Sequence, residues 1–198
     1  MGEDTDVLVI GGGPAGLAAA IAARMKGLDV TVADGAKPPI DKACGEGLMP
    51  STMAALRELG VAICPGDGQV FRGIRFLDAV TSAETSFSGA SGVGVRRTVL
   101  HQKMVKRAQE CGINLLWNTP VAGLSNDGAI LGGTVVKARW IIGADGIHSR
   151  MRRWIGLGAN ARQGVRFAQR RHYRVKGVDR LYGDSLGRKG AGLRHATQ

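Results

Sequence analysis

The sequence contains few of the residues that build disulfide frameworks, metal sites and membrane spans. Its three cysteines, Cys44, Cys64 and Cys111, are an odd number without Cys-x-x-Cys spacing, so neither a disulfide framework nor a zinc site is expected. The four histidines form no ligand pattern, and no metal is predicted. No apolar run approaches the roughly 20 residues of a membrane helix, and acidic residues precede the first apolar run, where a secretory signal would be basic. We therefore expect a cytoplasmic protein without a membrane span.

Acidic residues are scarce in the last quarter of the chain. Residues 1–149 hold 14 Lys and Arg beside 14 Asp and Glu, whereas residues 150–198 hold 13 basic residues and only two acidic ones. The net charge of +11 therefore comes from the last quarter alone. Because the basic tail at residues 177–198 lacks interleaved aromatic residues, no specific nucleic-acid partner is expected. The chain is 44% apolar, which is enough for one core of domain size.

Apolar runs and glycine turns at the start of the chain predict a strand, a helix and a second strand. The strands are predicted over Val7–Ile10 and Val30–Ala33, and the helix over Pro14–Met25. Both runs are predominantly apolar, which is typical of parallel strands that are covered on both faces. This segment therefore predicts a parallel sheet.

Two further helices are predicted from their ends. The segment PSTMAALRELG places Ser51 as N-cap and Gly60 as the stop, and RRTVLHQKMVKRAQECG places Thr98 and Gly112 in the same roles. Short β-like runs occupy residues 70–88, and further strands are predicted within residues 113–145. The order of these elements predicts an α/β, Rossmann-like fold with a small β insertion.

The first motif with a chemical meaning is Gly11-x-Gly13-x-x-Gly16, between the first strand and the first helix. Gly11 permits a tight turn, Gly13 lets the backbone approach a pyrophosphate, and Gly16 lets the helix pack on the strand. Asp34 ends the second strand, where a carboxylate can accept hydrogen bonds from a ribose diol, so the site suits FAD or NAD more than NADP. The alternative is a glycine turn without a ligand.

The second motif is ARWIIGADGIHSRMRR, in which an apolar strand ends at Gly143-Ala-Asp145-Gly146. Ser149 is predicted to cap a following helix. The alternative is that Asp145 only caps the turn. Together with GGGPAGLAAAIAA, this motif resembles the p-hydroxybenzoate hydroxylase-like group of FAD-dependent monooxygenases and the related geranylgeranyl reductases. The resemblance implies a glutathione reductase-like FAD-binding domain, with the Asp-Gly segment beside the FAD pyrophosphate.

Other segments match the same group. Arg97 and Leu100 fit its Arg-x-x-Leu helix start, whose arginine reaches the flavin side, although a solvated basic face would look alike. KACGEGLMP resembles the Cys-Gly-x-Gly-Leu loop of the reductase-like members, which implies that Cys44 lies near the flavin as a small packing residue rather than a nucleophile. We expect Glu46 in this loop to be exposed. Val121 matches a position whose backbone meets the adenine.

The resemblance implies an FAD-dependent flavoprotein oxidoreductase, but no catalytic side chain is assigned. We expect a monooxygenase that uses NAD(P)H and oxygen on a small aromatic or polyketide-like substrate. The alternatives are an alkene reductase of the geranylgeranyl reductase type and a non-catalytic nucleotide-binding fragment. The residues predicted to contact the cofactor are Gly11, Gly13, Pro14, Ala15, Gly16, Asp34, Gly35, Cys44, Gly45, Arg97, Val121, Asp145 and Gly146.

The chain is shorter than members of this group, so we expect a fold truncated before the full substrate domain. Residues 1–176 are predicted to form the FAD-binding domain, with a strand within 166–175. Residues 177–198 show no strand or helix period and predict a basic tail that is disordered or read out of frame. The alternative is a flexible basic arm for nucleic acid or a membrane.

Overall fold

The computed structural model describes residues 4–78, 80–158, 170–172, 181–187 and 190–194. The chain divides into two compact units. Unit 1 comprises Met1–Ile40 and His101–Val165, and unit 2 comprises Asp41–Leu100 and Arg166–Gln198.

The elements follow one another in chain order. The strands are β1 (Thr5–Ile10), β2 (Val30–Ala33), β3 (Gly47–Leu48), β4 (Gly68–Phe71), β5 (Gly73–Leu77), β6 (Ser82–Ser86), β7 (Gly92–Val95), β8 (Asn114–Leu116), β9 (Val121–Ser125), β10 (Gly128–Leu131), β11 (Thr134–Gly143), β12 (Leu181–Gly187) and β13 (Gly190–Arg194). The helices are α1 (Pro14–Met25), α2 (Pro50–Glu58), α3 (Arg97–Glu110) and α4 (Arg150–Trp154). This order of strands and helices confirms the predicted α/β class.

Unit 1 is built on a six-stranded sheet in the order β8-β2-β1-β11-β10-β9. The first four strands are parallel, and β10 pairs antiparallel with both β11 and β9. Strand β1 lies in the middle, and Val7–Ile10 is buried throughout, as its continuous apolar run predicts. The parallel pairing brings the carboxyl ends of β1, β2 and β11 to one edge of the sheet, which is where the predicted site residues follow.

Helix α1 extends over the predicted residues because its sequence carries both end signals. Pro14 occupies the first turn, where its missing N–H costs nothing, and Gly27 after the helix has a φ of +85°. Leu17, Ala20 and Ile21 are fully buried at helical spacing. This apolar face packs on β1 and β2 and fixes the turn between β1 and α1 at the sheet edge.

Unit 2 contains two small sheets and α2. One sheet has the order β3-β7-β4 and is antiparallel, and the other has the order β13-β12-β5-β6, in which β12 runs parallel to β5. Strands β3 to β7 lie between β2 and α3 in the chain, where the sequence predicts the β insertion.

The structure corrects several local predictions. Met49 is the N-cap of α2 because Pro50 occupies the first turn, so the predicted cap Ser51 lies inside the helix. Helix α3 begins at Arg97, so Thr98 is not its cap. Strands β12 and β13 lie in the segment expected to lack regular structure; their backbones pair with each other, and β12 also pairs with β5. The strand predicted within 166–175 falls mostly outside the described residues.

Candidate functional site

The loop between β1 and α1 is shaped by close backbone contact. Gly11 has a φ of +112°, and its N–H donates to the Ala33 carbonyl at 2.8 Å. A Cβ atom at Gly11 would lie 2.3 Å from the carbonyl oxygen of Ala144, in the turn after β11. That turn is held to β1 by a 2.7 Å hydrogen bond from the Ala144 N–H to the Ile10 carbonyl. Only glycine therefore fits at position 11, as the motif predicts.

The amino end of α1 presents backbone rather than side chains. Gly13 is the N-cap, no side chain caps the helix, and its first turn has no acidic residue. A Cβ atom at Gly16 would lie 1.8 Å from the Gly11 carbonyl oxygen, so Gly16 lets the loop fold tightly over the helix end. The unpaired N–H groups and the positive end of the helix dipole make this a place that favours an anion.

Asp34 lies at the end of β2 and is tied to the same loop. Its carboxylate accepts the Gly12 N–H at 2.7 Å and the Ala36 N–H at 2.8 Å, one on each oxygen. A carboxylate has about four acceptor positions, so both oxygens can still accept hydroxyl hydrogen bonds. The geometry therefore holds a negative charge beside the glycine loop in a fixed orientation.

Two residues that the sequence interpretation missed lie against the loop. His101 on α3 is fully buried, and its Nε2 is 2.8 Å from the Gly12 carbonyl oxygen. The ring of Trp117 lies so close that a Cβ atom at Gly12 would be 2.3 Å from it. The signal available in the sequence was helical spacing. His101, Met104 and Ala108 are spaced so that they share one face of α3, and that face is buried.

Asp145 caps the turn that follows β11. Its carboxylate accepts hydrogen bonds from the Ser149 hydroxyl at 2.6 Å and from the N–H groups of Arg150 at 2.6 Å and Met151 at 3.1 Å. Burial alone would raise the pKa of Asp145, but these hydrogen bonds together outweigh burial and hold the pKa below its ordinary value. Ser149 caps α4 as predicted, by accepting the Arg152 N–H at 3.0 Å.

Unit 2 contains a buried ion cluster around Glu46, which contradicts the predicted exposure of this residue. Its side chain is 1% exposed and pairs with Arg170 at 3.0 Å and His172 at 2.7 Å. The Arg97 N–H donates to the same carboxylate at 2.8 Å, and Arg170 also pairs with Asp41 at 2.7 Å. Burial is possible because the charge of Glu46 is compensated by these partners.

The glycines beside Glu46 accommodate Tyr182 of β12. The Tyr182 hydroxyl donates to the Gly45 carbonyl at 2.8 Å, and a Cβ atom at Gly47 would lie 2.5 Å from the Tyr182 ring. Glu46 itself has a φ of +59°, a conformation that costs a non-glycine residue free energy. Cys44, in the same loop, is exposed. Within unit 2, Gly47 thus leaves room for the Tyr182 ring, and the Gly45 carbonyl accepts its hydroxyl hydrogen.

The family of the chain follows from comparison with known protein families. The family model for the FAD binding domain matches residues 4–170. The chain belongs to the FAD binding domain family. This membership confirms the family and the fold class predicted from the sequence.

Relatives of this FAD binding domain include named reductases and an oxygenase. The chain is 34% identical over 165 residues to menaquinone reductase of Mycobacterium tuberculosis (strain CDC 1551 / Oshkosh), covering 78% of this chain and 40% of the relative. It is 35% identical over 167 residues to digeranylgeranylglycerophospholipid reductase 1 of Methanopyrus kandleri (strain AV19), covering 77% and 42%. A crystal structure of 2-methyl-3-hydroxypyridine-5-carboxylic acid oxygenase, a Y270F variant, has a TM-score of 0.64 and 28% identity, covering 77% and 42%. The chain spans less than half the length of each of these relatives.

The structure divides the predicted cofactor residues of the FAD binding domain between the two units. Those in unit 1 are Gly11, Gly13, Pro14, Ala15, Gly16, Asp34, Gly35, Val121, Asp145 and Gly146; those in unit 2 are Cys44, Gly45 and Arg97. A Cβ atom at Gly35 would lie 3.4 Å from the Cβ atom of Pro120, the residue before Val121. The side-chain-free cradle at Gly11 and Gly16 fits a diphosphate group.

Two features are absent from the described residues. No helix in them is both long and apolar enough to cross a membrane. Across the same residues, no three His, Cys, Asp or Glu side chains cluster closely enough to hold a metal ion.

Proposed function

We propose that unit 1 binds the ADP half of FAD and that the chain is the FAD-binding part of a flavoprotein oxidoreductase. The observation that supports this most strongly is the combination of the Gly11–Gly16 backbone cradle with the fixed Asp34 carboxylate. The cradle matches the shape and charge of a pyrophosphate, and the carboxylate matches a ribose diol. The family match over residues 4–170 supports the same cofactor.

Each part of the cradle has a role in this proposal. The N–H groups of Gly13, Ala15 and Gly16 bind the pyrophosphate, because Pro14 has no N–H to offer. Asp34 accepts the ribose hydroxyl hydrogens and repels a 2′-phosphate. Val121, beside the Gly35–Pro120 contact, is the predicted adenine neighbour.

The bound flavin would supply two-electron transfer, with NAD(P)H as the electron donor. We favour a reductase that acts on an isoprenoid or a quinone, because two relatives with 34% and 35% identity carry reductase names. The Cys44-Gly45-x-Gly47-Leu48 loop is the reductase-like version of the family segment. The oxygenase structure, at 28% identity, favours a monooxygenase of a small aromatic substrate as the second candidate. An assay separates the two candidates. Consumption of menaquinone in the absence of oxygen would support the reductase, and consumption of oxygen with an aromatic substrate would support the monooxygenase.

The test of cofactor binding is the absorbance spectrum of the purified chain after incubation with excess FAD and removal of unbound FAD. Flavin bands near one equivalent are expected. Gly16→Ala should lose them, since its Cβ atom would lie 1.8 Å from the Gly11 carbonyl oxygen. Gly66→Ala is the control, because nothing lies within 4 Å of the added Cβ atom and Gly66 has no positive φ, and it should keep them. If the chain binds ADP but retains no flavin, only the alternative of a non-catalytic nucleotide-binding fragment remains.

A further inference from the structure

His101 is buried beneath the glycine loop and contacts two backbone groups of opposite kind. Its Nδ1 lies 3.4 Å from the Ile40 nitrogen, and its Nε2 lies 2.8 Å from the Gly12 carbonyl oxygen. A backbone N–H can only donate and a carbonyl can only accept, so Nδ1 is the acceptor and Nε2 carries the hydrogen. The two contacts together define a neutral ring in a single tautomer.

The hydrogen bond to Gly12 determines the direction of the next N–H group. In a planar trans peptide, the carbonyl of Gly12 and the N–H of Gly13 point in opposite directions. Gly12 and His101 are buried, whereas Gly13 is partly exposed at the N-cap of α1. Because the Gly12 carbonyl points inward at His101, the Gly13 N–H points outward at the helix end, where an anion is favoured.

The rest of Gly12 is constrained by other neighbours. Its own N–H donates to Asp34 at 2.7 Å, and the Trp117 ring occupies the space where a side chain would project. The rings of His101 and Trp117 also meet edge to face, with centroids 6.1 Å apart. The orientation of the Gly12–Gly13 peptide is therefore the feature that the His101 hydrogen bond controls.

We propose that His101 is a positioning residue that aims the Gly13 N–H at the phosphates of the bound nucleotide. This inference rests on the proposed nucleotide site. His101 itself lies on the inner side of the peptide and acts only through it. Its loss should therefore weaken the binding of phosphate-bearing ligands and leave the binding of a nucleoside unchanged.

The test compares ADP with adenosine by calorimetric titration of the full chain. His101→Phe keeps a planar ring without the donor, and we expect about tenfold weaker ADP binding, as for a lost hydrogen bond to a charged group. Adenosine binding should change less than about twofold. His101→Gln places an amide N–H near the position of Nε2 and should restore ADP binding. Met104→Leu, a volume-conserving change at the next buried residue of α3, is the matched control.

The outcomes separate this inference from the proposed function. If the unmodified chain binds neither ligand, the proposed nucleotide site is wrong. If His101→Phe weakens both ligands equally, or neither, the site stands and the positioning role is wrong. Should His101→Phe not fold, the ¹⁵N shifts of the His101 ring in the unmodified chain give a second test. Protonation at Nε2 is expected, and protonation at Nδ1 would overturn the proposal.

Discussion

Neutralising the buried carboxylate of Glu46 should locally destabilise unit 2. Glu46→Gln keeps the shape of the side chain but removes the carboxylate charge that Arg170 and His172 contact, so that Arg170 retains only its pair with Asp41. Removing one member of a buried ion pair costs about 3–5 kcal/mol. The side chains of Arg170 and His172 are 19% and 27% exposed, so water partly solvates them, and Arg170 keeps Asp41; we therefore expect a smaller cost than this range, about 2–3 kcal/mol.

The Val95 amide provides a local measurement of this loss, because it donates to the Glu46 carbonyl at 2.8 Å. Tryptophan fluorescence is unsuitable, since Trp117, Trp140 and Trp154 all belong to unit 1. Amide hydrogen exchange at Val95 should become about 30- to 150-fold faster in Glu46→Gln, with 1.4 kcal/mol corresponding to a factor of ten.

The exposed Arg75–Glu84 pair in the same unit supplies the control. Its side chains are 29% and 48% exposed, and such pairs contribute about 0–1 kcal/mol. Glu84→Gln should therefore accelerate exchange at Val95 by less than about fivefold. An equally small effect of Glu46→Gln would refute the reasoning that burial makes the Glu46 cluster the stronger interaction.

Two further predictions concern acidic residues of unit 1. Asp34→Asn should weaken adenosine binding about tenfold and leave adenine binding unchanged, because in the proposed site the lost charge faces the ribose; calorimetry that shows equal losses would contradict this. For Asp145, the folded-state pKa lies below the unfolded value, so its stabilisation is present above the ordinary pKa of 3.8 and is lost as pH falls through the folded pKa. Urea unfolding should accordingly show a deficit for Asp145→Asn at pH 6 that shrinks toward pH 2, and a deficit independent of pH would exclude this origin.

The elements that the sequence predicts well are those whose signals are local. Helix α1 carries Pro14 and Gly27 at its ends, and β2 is a short apolar run that ends at Asp34, so neighbouring residues suffice to place them. Ser149 caps α4 because its partner, Arg152, is three positions away. The caps of α2 and α3 were misplaced by one or two residues, which is the usual uncertainty of helix ends.

The residues that the sequence misjudges depend on distant partners. Glu46 is buried because Arg170 and His172 lie beside it, although His172 is 126 positions away in the chain. His101 contacts Gly12 across 89 positions and Ile40 across 61. Composition and spacing describe the chemistry of a residue itself. Whether a charged or polar side chain can be buried depends on its partners, and these come from segments that are distant in the sequence.

The two glycine motifs of unit 1 depend on each other through the sheet. Strands β1 and β11 are parallel neighbours, with Ile10 opposite Gly143, so the turns that follow them lie side by side. The Ala144 carbonyl occupies the space that a side chain at Gly11 would need. Asp145 holds that second turn through its three hydrogen bonds, so it supports the glycine loop by fixing the turn against which Gly11 packs. The capping role that the sequence offered as an alternative for Asp145 is thus compatible with a role in forming the site.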